Sequence, residues 1–289
     1  MQSLINSYYG AQGLEYNMIR VPIGGCDFST HPYAYNMLPE NDAALSNYSL
    51  TVEDYEYKIP MIKAIKAVST TDVHIVATTW APPVWMKTNE KISGFSQLKK
   101  EYFQTYADYH YKFLEKYAQE GVSIWAITTT NEPLNGVVPL PSFNSLGWTA
   151  ETMGEWIANN LGPTIRNSQF KDLKILGVDD QRYTILSIAI KFSDDHSQKA
   201  YIYLYSQMIR EVPAALDYLD GIALHYYANR FIPPSVLTHI TKEHPTKFMI
   251  STEACEGSFP WQKDVVLGAW DRATRYTEDI MQVSSTNLL

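Results

Sequence analysis

The chain has 289 residues, of which 45% are hydrophobic and 19% charged, and its formal net charge is −8. This composition is typical of a globular protein with a sizeable core, and the acidic balance argues against nucleic acid as the main partner, because phosphate backbones bind clustered positive charge. The sequence has no apolar run long enough for a membrane-spanning helix, and its first ten residues lack the basic and apolar regions of a signal peptide.

Six apolar, β-branched runs recur along the chain and predict the strands of one sheet. Their apolar residues are nearly continuous rather than alternating, which is typical of parallel strands that are covered on both faces. In chain order, the runs are Tyr16–Ile23, Val73–Thr79, Ser123–Thr129, Leu173–Val178, Gly221–Tyr226 and Lys247–Thr252.

Helical patterns lie between these runs, and the chain opens with what resembles the tail of a helix. The first long pattern carries one apolar stripe that includes His110, which we expect to be a core residue. Gly162 and Pro163 are expected to end the second pattern. The predicted helices are Glu101–Glu120, Thr149–Leu161, Ala200–Val212 and Pro260–Met281.

Strands that alternate with helices predict an α/β fold with a parallel sheet, either an open doubly wound sheet or a (β/α)8 TIM barrel. No glycine-rich turn follows the first strand, which counts against a nucleotide-binding open sheet. Polar residues instead follow several strands, which favours the barrel. Because a barrel needs eight strands and six are found, we expect residues 1–289 to form one incomplete barrel domain. The strand-end residues are Asp27, Trp80, Asn131, Glu132, Asp179, Asp180, His225, Tyr227 and Glu253.

Two of these residues, Glu132 and Glu253, form a candidate catalytic pair. Each follows a β-branched run directly, so in a barrel both would point into one mouth. Glycoside hydrolysis uses such a pair, at about 5–5.5 Å for retention of configuration and about 6.5–9.5 Å for inversion. Asn131 would place an amide beside the acid, where it can donate to a sugar 2-hydroxyl, and Pro133 prevents the strand from continuing. The sequence leaves the separation open.

Other motifs are weaker. The seven histidines form no HExxH pattern, so a helical zinc site is not expected. No GxSxG turn and no P-loop are present. Asp179 and Asp180 precede Arg182, which favours an ion pair over a cation site. The two cysteines, Cys26 and Cys255, are expected to be free thiols.

Several segments resemble the glucosylceramidases of glycoside hydrolase family 30, in the same order and over roughly Ser7 to Tyr276. The matching segments are YNMIRVPIGGCDFS, TTWAPPVWMKTN, TNEP, LGVDDQR, GIALHYY, STEACEGS and LGAWDRATRY. One departure is that TTTNEP lacks the acidic residue that precedes the asparagine in the human-type enzyme. The resemblance also implies that the family's first and last barrel strands and its accessory β-sandwich are missing from this chain.

The resemblance implies a role for each strand-end residue. Glu132 corresponds to the general acid/base and Glu253 to the nucleophile, and no metal or organic cofactor is implied. Substrate-binding residues implied by the match are Asp27, which would bind glucose hydroxyls, Trp80, which would form an aromatic wall, and Asn131, His225 and Tyr227, which would line the site. Asp179 and Arg182 correspond to a supporting ion-pair region.

The function implied by the resemblance is retaining hydrolysis of glucosylceramide to glucose and ceramide, a step of sphingolipid metabolism. It further implies a lysosomal location, a substrate presented at a membrane surface and a saposin-type activator protein, with neither nucleic acid nor a transmembrane segment involved. The alternative is an inactive truncated paralogue or isoform that retains only sugar, lipid or partner binding.

Overall fold

The computed structural model describes residues 1–137, 143–184, 188–191, 199–202, 204–257 and 262–284. The strands are β1 (Met18–Pro22), β2 (His74–Thr78), β3 (Ala126–Thr128), β4 (Lys174–Gln181), β5 (Ile188–Lys191), β6 (Lys199–Ile202), β7 (Gly221–His225) and β8 (Phe248–Glu253). Six of them form one parallel sheet in the order β1-β2-β3-β4-β7-β8, curled into half of a (β/α)8 barrel. The other two, β5 and β6, pair antiparallel and apart from this sheet.

Helices connect the strands of the large sheet. Two π-helical turns, Asp54–Lys58 and Ile157–Leu161, each run directly into the helix that follows. The helices are α1 (Gln2–Tyr9), α2 (Ile59–Val68), α3 (Phe103–Gln119), α4 (Ala150–Trp156), α5 (Gly162–Arg166), α6 (Leu204–Glu211), α7 (Ala215–Tyr218), α8 (Ser235–Glu243) and α9 (Trp270–Ser284). Within the described ranges, no helix has the length and apolar character that would let it cross a membrane.

The predicted parallel barrel architecture is confirmed, because all six predicted strands lie in the large sheet. The stripe predicted on α3 is also buried, and it includes His110. His110 Nδ1 lies 2.8 Å from the Tyr106 carbonyl oxygen, and Nε2 lies 3.1 Å from Thr79 Oγ1. Burial lowers the pKa of His110 to about 4, so this histidine is a neutral core residue.

Three predicted helix limits are wrong. The predicted end at Gly162 is wrong, because the π-helical turn Ile157–Leu161 runs directly into α5. Pro163 lies in the first turn of α5, a position that proline tolerates. The pattern that began at Ala200 contains β6 before α6 begins at Leu204. The last helix begins at Trp270 rather than at Pro260, which lies outside the described residues.

The carboxyl end of β4 departs from regular pairing. Its register with β7 shifts between Val178 and Asp180, and Val178 and Asp179 both have positive φ, of 75° and 55°. Positive φ is costly for a β-branched residue such as valine and concentrates at functional sites. A bulge re-aims the side chains around it, and here it turns Asp179 toward the ends of the neighbouring strands.

Candidate active site

The carboxyl end of the sheet gathers charged side chains from five strands. Arg20 comes from β1, Asp179 from β4, His225 from β7 and Glu253 from β8, while Glu132 follows β3. Parallel pairing brings these strand ends to one edge. The structure therefore brings together Glu132 and Glu253, which the sequence places 121 residues apart.

Asp179 lies at the centre of this cluster and is fully buried. Its two oxygens accept five hydrogen bonds, one from a side chain of each of the other five strands of the sheet. Burial alone would raise the pKa of Asp179, but Arg20 and His225 outweigh it and hold the pKa well below its ordinary value. The donors are Thr78 Oγ1 at 2.8 Å, Thr128 Oγ1 at 2.8 Å, Thr252 Oγ1 at 2.6 Å, Arg20 Nη2 at 2.9 Å and His225 Nε2 at 3.1 Å.

Arg20 links Asp179 to Glu253 and was not among the predicted site residues. Its Nη1 donates to Glu253 Oε2 at 2.5 Å, and its Nη2 also donates to Asn131 Oδ1 at 2.8 Å. The guanidinium lies over the Trp80 ring, 4.8 Å from the ring centroid. The available signal was a single arginine inside the apolar run MIRVP, because a charged side chain is rarely buried in a strand unless it is paired.

His225 is held between two carboxylates. Nδ1 lies 2.9 Å from Glu132 Oε1, and Nε2 lies 3.1 Å from Asp179 Oδ1. Burial lowers the pKa of His225, but the hydrogen bonds and charges of its acidic partners reverse this effect and raise the pKa to about 10. The imidazolium therefore donates from both nitrogens. Glu132, His225 and Glu253 are close enough to hold a metal ion, but an ion would have to displace a proton from the His225 imidazolium.

Glu132 sits in a strained turn with φ 42° and ψ 66°, the left-handed region. Besides His225, Gln181 Nε2 donates to Oε1 at 2.9 Å and Asn135 Nδ2 donates to Oε2 at 2.5 Å. Burial raises the pKa of Glu132, but the hydrogen bond and positive charge of His225 and the amide of Asn135 lower it below the ordinary value. Gln181 and Asn135 were also not predicted as site residues, although Gln181 lies in the matching segment LGVDDQR.

Glu253 faces Glu132 across the site. Tyr227 Oη donates to Glu253 Oε1 at 2.8 Å, and His225 Nδ1 lies 3.8 Å from the same oxygen. The nearest oxygens of Glu132 and Glu253 lie within 4.8 Å of each other. This upper bound lies below the separation of about 6.5–9.5 Å for inverting glycosidases, so the pair fits the shorter separation of about 5–5.5 Å for retaining ones better.

The other predicted site residues lie around this pair. Asn131 is buried, and since its Oδ1 accepts from Arg20, its Nδ2 is the end left to donate. Asp27 lies at the rim after β1, where partial burial and the charges of Glu253 and Glu132 raise its pKa. Trp80 is buried beneath Arg20.

The predicted pairing around Arg182 is wrong. Arg182 Nη2 pairs with Asp279 of α9 at 3.4 Å, whereas Asp179 pairs with Arg20 and His225. Asp180 accepts from the backbone N–H groups of Gln181 and Leu134, and the bond from Leu134 ties β4 to the turn after Glu132. The bulge explains the difference, because it turns Asp179 away from Arg182.

The charge on His225 predicts how stability depends on pH. Because folding raises the pKa of His225 from 6.5 to about 10, its contribution is full below pH 6.5 and is lost as the pH rises toward 10. We expect His225→Gln to lower the free energy of unfolding by about 3–5 kcal/mol near pH 6, since two buried carboxylates lose a partner. Denaturant unfolding from pH 6 to pH 9.5 would measure this difference, which should shrink as the pH rises.

His239→Gln is the matched control, because His239 is an exposed histidine on α8. The loss of unfolding free energy in His225→Gln should shrink from pH 6 to pH 9.5. A loss that stays constant, or that grows toward pH 9.5, would contradict the imidazolium assignment.

Comparison with known proteins assigns the chain to a glycoside hydrolase family. The family model for the glycosyl hydrolase family 30 TIM-barrel domain matches residues 1–288. Mouse lysosomal acid glucosylceramidase is 36% identical over 291 residues, which cover 99% of this chain and 52% of the mouse protein. The chain spans about half the length of the curated relatives it matches.

Solved structures show the same architecture. SrfJ from Salmonella typhimurium aligns with a TM-score of 0.79 at 21% identity, over 98% of this chain and 57% of SrfJ. An endo-β1,6-glucanase aligns with a TM-score of 0.74 at 26% identity, over 89% of this chain and 53% of the glucanase. Similarity to SrfJ at this identity shows the fold alone.

Proposed function

The chain belongs to glycosyl hydrolase family 30, and on that premise we propose that it hydrolyses a β-glucoside with retention of configuration. One observation supports this proposal above the others: one carboxylate oxygen of Glu132 lies within 4.8 Å of one carboxylate oxygen of Glu253. That distance lets one carboxylate reach the anomeric carbon while the other protonates the leaving oxygen.

In the first step, Glu253 attacks the anomeric carbon and the bond to the leaving oxygen breaks. Arg20 and Tyr227 donate to Glu253 and so fix the position of its carboxylate. Glu132 passes its proton to the leaving oxygen, which departs as an alcohol and leaves a glycosyl ester on Glu253. Asn131 can donate through Nδ2 to the sugar 2-hydroxyl, a bond that strengthens in the transition state.

In the second step, Glu132 acts as a base. It takes a proton from water, whose oxygen attacks the anomeric carbon and releases Glu253 as a carboxylate. His225 favours the ionised form of Glu132, and this form is the base that the second step needs. The same effect confines the protonated form of Glu132, which the first step needs, to low pH. We therefore expect an acidic pH optimum.

Glucosylceramide is the proposed substrate. The support is the 36% identity to the mouse protein, which is named a lysosomal acid glucosylceramidase. The same resemblance supports action at a membrane surface in the lysosome, within sphingolipid metabolism, and assistance by a saposin-type activator. Asp27 at the rim and Trp80 beneath Arg20 are proposed to bind the glucose.

Product stereochemistry tests the reaction. We expect the purified chain to release β-glucose first from an aryl β-glucoside, because two displacements at the anomeric carbon restore its configuration. Proton NMR at early times distinguishes the two anomers before they equilibrate. Release of α-glucose first would contradict retention, and glucosylceramide left intact in detergent micelles at every pH from 4 to 7 would contradict the lipid assignment.

A further inference from the structure

The two oxygens of Glu132 have different surroundings. Oε1 accepts from His225 Nδ1 and from Gln181 Nε2, both at 2.9 Å. The Gln181 amide is oriented by the Ala228 backbone N–H, which donates to its Oε1 at 3.2 Å, so Nε2 is the end that faces Glu132. Because both partners of Oε1 are donors, a proton on that oxygen would meet two other hydrogens. The proton of the acid form therefore belongs on Oε2.

Asn135 is the described residue that contacts Oε2. It lies three residues after Glu132, in the helical turn Pro133–Gly136. Its side-chain Nδ2 donates to Oε2 at 2.5 Å, and its backbone N–H donates to the Glu132 carbonyl oxygen at 2.9 Å. One residue thus closes the turn that follows Glu132 and also holds the oxygen that must carry the proton.

We propose that Asn135 is a positioning residue that holds Oε2 of Glu132 and sets the pH range in which this oxygen carries its proton. The proposal rests on the proposed function, since it concerns the acid/base group of that reaction. An amide suits the role because it has both a donor and an acceptor. Nδ2 donates to the carboxylate, and after a half-turn of the amide, Oδ1 can accept from the protonated acid.

Other charged and titratable groups also act on Glu132. His225 lowers its pKa, and the surrounding carboxylates raise it. All of these groups remain in a variant that changes Asn135 alone, so a shift in the pKa of Glu132 in that variant reports the loss of the Asn135 amide. These groups are His225 and Tyr227 from β7 and its loop, Asp179, Asp180 and Tyr183 from β4 and its loop, Glu253 from β8 and Asp27 from the loop after β1.

Three substitutions of Asn135 separate a proton-setting role from a merely structural one. Asn135→Leu keeps the size but removes the donor, and we expect it to raise the alkaline limb of kcat/KM by about one pH unit. Asn135→Asp adds a negative charge beside Oε2 and should raise that limb further. Asn135→Ser retains a hydroxyl donor and should shift it less than leucine does. Phenyl β-glucoside is the probe, because its poor leaving group requires acid catalysis.

The matched control is Asn160→Leu, since Asn160 donates to Gln104 on the exposed surface, away from the sheet edge. We expect no shift of either limb for this variant. Unshifted limbs for Asn135→Leu and Asn135→Asp, with kcat lowered equally at every pH, would overturn the proposal and leave a structural role only.

A second measurement is independent of turnover. The carboxyl carbon of Glu132, observed by ¹³C NMR and assigned with Glu132→Gln, reports its titration directly. An upward shift in any folded Asn135 variant supports the proposal, even if the chain hydrolyses no glucoside and the proposed function fails. A titration that matches the unsubstituted chain in all three variants overturns it.

Discussion

Glu253→Gln is expected to abolish turnover of β-glucosides, lowering kcat by roughly four to six orders of magnitude, as the loss of a nucleophile does in other hydrolases. An amide has the size of the carboxylate but cannot form the glycosyl ester. The fold should survive, because Arg20 retains its hydrogen bonds to Asp179 and Asn131. Steady-state hydrolysis of a fluorogenic β-glucoside, together with a thermal melt, measures both effects.

Glu243→Gln provides the control for this substitution. Glu243 lies at the end of α8 with about half of its side chain exposed. The activity of Glu243→Gln should therefore equal that of the unsubstituted chain. Normal hydrolysis by folded Glu253→Gln would reject the nucleophile assignment. Loss of activity together with loss of a cooperative melt would instead show that Glu253 holds the sheet edge together.

The strand framework could be predicted from the sequence because local pattern determines it. Each run of apolar, β-branched residues gains by burial on both faces, and parallel strands end at one edge. This rule places Glu132 and Glu253 at the same edge, since each comes soon after such a run. Helix limits were less predictable where tertiary contacts extend or shorten a pattern, as they do at Gly162 and at Ala200.

The partners of the two glutamates were not predictable in the same way. Arg20 reaches Glu253 across 233 residues of sequence, and Gln181 reaches Glu132 across 49. Spacing carries no signal for such contacts, because the order of strands in the sheet decides them. The bulge at Val178 is a further case, since nothing in the run LKILGV indicates a positive φ at valine.

The charge balance of the site explains why these partners matter. Two cations, Arg20 and His225, compensate three acids, and Asp179 is shared between them. In the proposed mechanism, a sugar ester on Glu253 would remove one negative charge from the neighbourhood of Glu132. Loss of this charge would favour the carboxylate form of Glu132, which the second step needs as a base. On this proposal, the cluster would couple the protonation of one glutamate to the covalent state of the other.

Removal of the acid/base group should slow both steps to different extents. We expect Glu132→Ala to lower kcat/KM for phenyl β-glucoside by about 10²–10⁴-fold, and to lower it far less for 2,4-dinitrophenyl β-glucoside, whose leaving group departs without a proton. On the second substrate the glycosyl ester should accumulate, since no base activates water. Azide can enter the space left by the carboxylate and attack this ester, so its addition should restore turnover.

The configuration of the azide product distinguishes the two glutamates. Attack on the ester of Glu253 in Glu132→Ala should give β-glucosyl azide, because the anomeric carbon is displaced twice. In Glu253→Ala, azide would attack the substrate directly from the face that Glu253 occupied and should give α-glucosyl azide. Proton NMR of the two products provides the measurement, and each variant serves as the control for the other. The opposite pattern would exchange the two roles, and the absence of any glucosyl azide from Glu132→Ala would count against Glu132 as the acid/base group.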